Sequence, residues 1–250
     1  MRRNFLLVLF STLLLLSFAA TSFAQDDKPR RKDLVDSSGD PDSFGSNVRF
    51  MGLVNAGVLV LDPTCDPASV GELGPDDRCV VLNPSPAPTG FDVRDLGRLT
   101  LPGNSAKNIV YFVANHTWSY QFLNQTGIHQ NDARFQYTPY VTVESDALKD
   151  PRAIDPITSL PLNGKIDLNI GGGHSVSRSL DFDERIREQL NYTRAGFGGF
   201  SKATFVASGI PADIVDKMFR QPMTIRLNLR GQVRHVSDAL MFYNMRLMGN

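Results

Sequence analysis

The sequence predicts an all-β fold: an antiparallel β-sandwich of two sheets, Greek-key or jelly-roll-like, with two short helices at connections. Three observations carry this reading. Apolar and polar residues alternate with period two through much of residues 46–250. Gly, Asn, Pro and Asp collect between the alternating runs. The runs number about nine or ten, which favours two packed layers over a single open sheet.

The chain starts with a different signal. Arg2 and Arg3 precede an apolar run from Phe5 to Ala20, and Ser22 and Ala24 place small residues before Gln25. A charged start, an apolar middle and a small-residue end make a secretory signal over residues 1–24. The paired arginines also fit a twin-arginine start, but the strongly apolar run suits the general secretory route better. An uncleaved anchor would need about 20 apolar residues, and Ser11, Thr12, Ser17, Thr21 and Ser22 interrupt this one. Export to the periplasm or the outside of the cell is the expectation, with no membrane span after cleavage.

Residues 25–45 form a polar tether. Asp26 to Lys32 and Ser37 to Asp42 offer little to bury, so nothing opposes the entropy of disorder. A single β-sandwich domain over residues 46–250 follows. The whole chain carries 26 basic and 26 acidic residues, and loss of Arg2 and Arg3 leaves 24 against 26, a net charge of −2. Such balance argues against a nucleic-acid binder, which needs a basic face.

The strands are read in order. Val48–Leu61, Cys79–Leu82 and Asp92–Leu101 show weak alternation. Ile109–Phe122 is the clearest case, with Val110, Phe112, Ala114, Trp118, Tyr120 and Phe122 on one face and Asn115, Thr117, Ser119 and Gln121 on the other. Ala133–Glu144 repeats the pattern, and Pro139 predicts an edge or a bulge there because it donates no ladder hydrogen bond. Ile166, Leu168 and Ile170 follow, then Ser175–Leu180, Phe200–Val206, Thr224–Arg230 and Ala239–Met248. Asn163-Gly164, Gly171-Gly172-Gly173, Gly198-Gly199 and Ser237-Asp238 mark turns. One helix is predicted from Asp181, where Glu184 completes a capping box and Ile186 and Leu190 fall four apart. The second starts at Pro211 and carries the stripe Ile214, Val215, Met218 and Phe219.

Cys65 and Cys79 are the two cysteines, and in an exported chain they predict a disulfide. Pro67, Gly71, Gly74 and Pro75 between them argue against a stable helix in that loop. The surrounding Asp62, Asp66, Glu72, Asp76 and Asp77 lack the spacing of a calcium loop and read as solvated turn residues. His116, His129, His174 and His235 stand apart in sequence, without zinc spacing. Gly171-Gly172-Gly173-His174 has no accompanying nucleophile elbow and reads as a hairpin turn. No catalytic residue, cofactor or metal site is predicted.

Two segments stand as candidate contact surfaces. The loop Ser145–Leu162 is long for a compact domain and is stiffened by Pro151, Pro156 and Pro161 after Asp150 and Asp155. It reads as a connection crossing between sheets. Arg226, Arg230 and Arg234 share one parity with Asn228 and Gln232, which makes a basic stripe or an ordinary solvated face. Trp118, Tyr120 and Phe122 would stack on a sugar only if they faced outward, and their polar neighbours place them in the core. Asn115, Asn124 and Asn191 each start a glycosylation acceptor pattern. The function expected is non-enzymatic, structural or interactive. Another exported protein, a glycan or a second copy of the chain is the expected partner; a carbohydrate- or ligand-binding module is the alternative, and a hydrolase whose residues converge only in the fold ranks third.

Overall fold

A computed structural model describes residues 49–192 and 198–250, apart from the side chains of 191 and 192. The signal, the tether and the first residues of the sandwich range lie outside them. Two sheets of seven and five strands face each other across one apolar core. In chain order the strands are β1 (Arg49–Asn55), β2 (Leu59–Asp62), β3 (Arg78–Val81), β4 (Thr89–Leu101), β5 (Ile109–Leu123), β6 (Gln130–Glu144), β7 (Lys165–Asn169), β8 (His174–Leu180), β9 (Arg185–Tyr192), β10 (Gly198–Ser201), β11 (Met223–Arg234) and β12 (Val236–Gly249). The helices are α1 (Pro67–Val70), α2 (Lys202–Ala207) and α3 (Ala212–Arg220), with a 3-10 turn at Asp146–Lys149.

The larger sheet runs β10-β5-β12-β2-β3, with β9 beside β5 and β1 beside β12. The smaller runs β4-β11-β6-β7, with β8 also paired to β6. The long strands β5 and β6 supply the middle of the core. Trp118 is fully buried, its ring 4.8 Å from Phe135 in an edge-to-face pair, and Tyr120 stacks on the same Phe135 at 4.1 Å. The inward reading of Trp118, Tyr120 and Phe122 therefore stands.

Several expectations are corrected. The residues after Asp181 form a strand, not a helix. Glu184 Oε2 does accept from the Asp181 amide at 2.7 Å, but that bond closes the turn from β8 to β9, with Asp183 in the left-handed region at φ +55°. Ile186 and Leu190 fall four apart, and four is also an even number, so strand parity satisfies the same spacing. Among the described residues there are twelve strands rather than nine or ten, and β2 pairs with β3 in parallel. The Cys65–Cys79 loop does hold one helical turn, α1, because Pro67 sits in its first turn and Asp66 caps it by accepting from the Ala68 amide. Phe200–Val206 divides into β10 and α2, and Gly198-Gly199 lies within β10 rather than in a turn. The β11–β12 turn centres on His235 at φ +55°, two residues before the predicted position.

Pro139 does not sit on an edge strand. β6 is internal, and Pro139 falls in the interval between its β8 partners, ending at Tyr137–His174, and its β7 partners, starting at Tyr140–Asn169. The missing donor is tolerated where no second strand is paired. The Ser145–Leu162 loop does not cross between sheets either. It joins β6 to its own neighbour β7, since Glu144 pairs with Lys165. Helix α3 arises as expected, and its stripe Ile214, Val215, Met218 and Phe219 is buried at one end of the core, Phe219 against Phe200 at 5.9 Å.

Candidate functional site

The Cys65–Cys79 disulfide is formed, with Cα atoms 5.9 Å apart, and it ties the segment after β2 to β3. The neighbouring carboxylates serve the backbone. Asp62 Oδ1 accepts from the Thr64 and Cys65 amides, both at 2.9 Å, and these bonds hold its carboxyl below the usual range against the opposing effect of burial. Asp77 accepts from the Val58 and Gly74 amides at 2.7 Å each. Among the described residues, no group of three or more His, Cys, Asp or Glu side chains is arranged to hold a metal ion.

Asp150 and Asp155 both organise the β6–β7 loop. Asp150 accepts from the Arg152 guanidinium at 2.9 and 3.1 Å and from its amide at 3.0 Å, and these bonds lower its pKa to about 2. Arg152 Nη2 also reaches Asp213 of α3 at 2.8 Å, fastening the loop to that helix. Asp155 accepts from the Ile157 amide at 2.8 Å and from the Thr158 hydroxyl at 3.0 Å. An isolated pairing of Ile154 with Pro161 closes the loop base. The result is a firm tip carrying Ile157 at 91% exposure and Leu160 at 63%.

The arginine stripe lies on the outer face of the smaller sheet and is not uniform. Arg226 pairs with Asp95 at 2.8 Å and Glu144 at 2.9 Å. Between the strands, buried Asn228 accepts from the Asp95 amide and donates to Thr142, supporting a bulge where Asp95 takes φ +57°. Arg234 pairs with Asp132 and donates to the Pro86 carbonyl at 2.9 Å. Among the described residues, Arg230 meets neutral partners: the Asn169 amide oxygen at 3.0 Å and the Tyr140 ring, 5.3 Å from the guanidinium carbon. Arg94 stacks on the same ring at 5.8 Å, and the Tyr140 hydroxyl donates to Asp92 at 2.6 Å.

The structure brings the two candidate surfaces together. A cleft of about 590 Å³ opens where the β7 edge of one sheet faces β10 and α2 of the other, with the Asp155–Asn163 loop along its rim. Ile157, Leu160, Leu162, Ile166, Leu168 and Phe205 line it, and Arg230, Tyr140, Asp167 and Asn169 lie at its polar margin. Asp150, Arg226 and Arg234 are not among its lining residues.

Sequence reasoning missed two clusters whose members are far apart in the chain. Ser85 Oγ lies 2.8 Å from His235 Nδ1, and His235 Nε2 lies 3.3 Å from Asp132 Oδ1. Burial lowers the His235 pKa, and Asp132 opposes that shift. This trio links the β3–β4 loop to the β11–β12 turn. The second cluster lies between the sheets. His116 is 4% exposed, with Nε2 2.5 Å from the Tyr137 hydroxyl and its ring stacked on Tyr243 at 5.6 Å. Burial first, then the neighbouring His174, lowers its pKa to about 4. Of the acceptor-pattern asparagines, Asn124 is fully buried with its amide nitrogen donating to the carbonyls of Ile128, Leu180 and Asp181. The folded chain therefore offers no free nitrogen there for a glycan. Asn115 donates to Asn244, and the Asn191 side chain lies outside the described residues.

No family model matches the sequence, and no curated protein does. Among solved structures the chain is similar to the VP2 subviral particle of infectious bursal disease virus, at 6% identity and a TM-score of 0.26 over 82% of this chain and 33% of that one. It is similar to the Gt strain structure of the same virus at 7% identity and 0.25, over 82% and 34%. The Gx strain structure gives 8% and 0.22, over 81% and 55%. This chain thus spans between a third and just over half of those chains.

Proposed function

We propose that this chain is an exported, non-enzymatic β-sandwich that works by contact, with the Asp155–Asn163 loop and its cleft as the working surface. One observation carries the reading: Ile157 and Leu160 are held out in water by a loop that is fastened at its base and at its tip. Exposed apolar groups beside a concave, partly polar surface mark interaction sites. Covering both side chains would contribute about 3–6 kcal/mol, enough to matter in a protein contact. The partner is another exported protein or a second copy of this chain. The signal-like residues 1–24 and the disulfide support export, since disulfides persist in oxidising compartments. Sedimentation velocity on the mature chain tests the self-contact form. Association that the pair Ile157→Ser and Leu160→Ser abolishes is expected, and a monomer at every concentration would count against it. Turnover at enzyme-like rates in a broad hydrolase screen would overturn the non-enzymatic part.

A second reading, a ligand-binding module, is favoured by the cleft itself. Its volume falls within the range of small-molecule sites, and it combines apolar walls with a few polar groups. The walls are largely aliphatic, which suits a hydrocarbon better than a sugar ring. The glycan expected from sequence is the weaker choice within this reading.

A further inference from the structure

We infer that the cleft receives an amphipathic anion, a carboxylate on an apolar body, and that Arg230 binds the charged end. The inference rests on the ligand-binding reading above. It follows from which charges at the cleft are already engaged. Two carboxylates line it, and both have donors: Asp155 accepts from Ile157 and Thr158, and Asp167 accepts from the Thr142 hydroxyl at 2.5 Å and faces Arg94 at 3.6 Å. Of the stripe arginines, Arg226 and Arg234 are held by carboxylates, whereas Arg230 meets an amide oxygen and an aromatic face. A guanidinium carries five N–H donors in a fixed fork, and one described hydrogen bond leaves a bidentate edge for a carboxylate. Lys165 lines the same cleft and adds a second positive charge. Two carboxylates and two cations leave the cleft without net charge, and the open edge of the Arg230 guanidinium, which faces neutral partners, is the part complementary to an anion.

The apolar part of the ligand is set by the walls. Ile166 and Leu168 project from the β7 edge with partial exposure, Leu162 and Phe205 are buried behind them, and Ile157 and Leu160 stand at the rim. Each methylene covered by such walls contributes about 0.8 kcal/mol in area terms, so a medium-length hydrocarbon tail supplies affinity while Arg230 supplies orientation.

Calorimetric titration of the folded chain with decanoate, decanol and decyltrimethylammonium, each below its micelle concentration, tests this. Decanoate is expected to bind about tenfold or more tightly than decanol, as a charge-assisted hydrogen bond implies. In Arg230→Gln that preference should fall to about one with decanol binding unchanged, and Arg230→Lys should retain part of it. The pair Ile157→Ser and Leu160→Ser should weaken both ligands in parallel. Equal binding of decanoate and decanol, or a preference that survives Arg230→Gln, overturns the assignment to Arg230 while leaving a binding cleft in place. Absence of binding by all three overturns the ligand-binding reading itself.

Discussion

Acidification should destabilise this fold chiefly through the buried imidazole of His116. His116 sits between the sheets against Tyr137 and Tyr243, and its pKa is lowered from 6.5 to about 4, chiefly because burial disfavours the charged ring. The folded value lies below the unfolded one, so the unfolded chain takes up the proton first. Stability is therefore full above about pH 6.5 and is lost as pH falls toward 4. At 1.36 kcal/mol per pKa unit the loss reaches about 2.5 kcal/mol by about pH 4.5. His174 and His235 are shifted in the same direction by burial and add to the total, so a variant must isolate the His116 part. Urea denaturation of the wild type and of His116→Gln at about pH 7.5 and 4.5 does so. The variant should start less stable, having lost its stacking on Tyr243, but should lose about 2.5 kcal/mol less on acidification. Equal acid losses in the two proteins, or an NMR titration placing His116 at its ordinary value, would refute the argument.

Other consequences are open to direct measurement. Replacing both Cys65 and Cys79 by serine should cost roughly 3 kcal/mol in the chain-entropy account of a loop this size, read as a lower denaturation midpoint that reductant no longer shifts. Asn124→Ala should cost about 2 kcal/mol because it takes the side-chain donor from the buried Leu180 carbonyl and from the half-buried Ile128 and Asp181 carbonyls, and the acceptor from the Thr126 amide, and calorimetric melting would show it. Mass spectrometry of chain recovered from the exported fraction should find Gln25 at the N-terminus, and an intact Met1 there would contradict the signal reading.

The two-layer body was legible where one face of a strand meets the core and the other meets water. Ile109–Phe122 states its orientation in its own parity, and Trp118, Tyr120 and Phe122 are buried as that parity requires. Legibility failed where two periods coincide, as at Ile186 and Leu190, or where a single turn of chain decides between strand and helix, as from β10 into α2. The role of Pro139 was hidden because it depends on a partner boundary on another strand. The loop Ser145–Leu162 and Arg230 were each visible, one through its prolines and the other through strand parity. That they border one cleft was not visible, since the cleft exists only where the edge of one sheet faces the edge of the other. Ser85 and His235 lie 150 residues apart, and no local pattern records their contact.

The central claim is that this molecule works through its β6–β7 loop and the hollow below it. Hydroxyl-radical footprinting of the mature chain, alone and within the exported fraction of its native cells, tests that claim whatever the partner is. Protection of Ile157 and Leu160, with Phe242 on the outer face of the larger sheet still fully reactive, is the expected pattern. Unchanged reactivity at Ile157 and Leu160 alongside protection around Phe242 would move the working surface elsewhere.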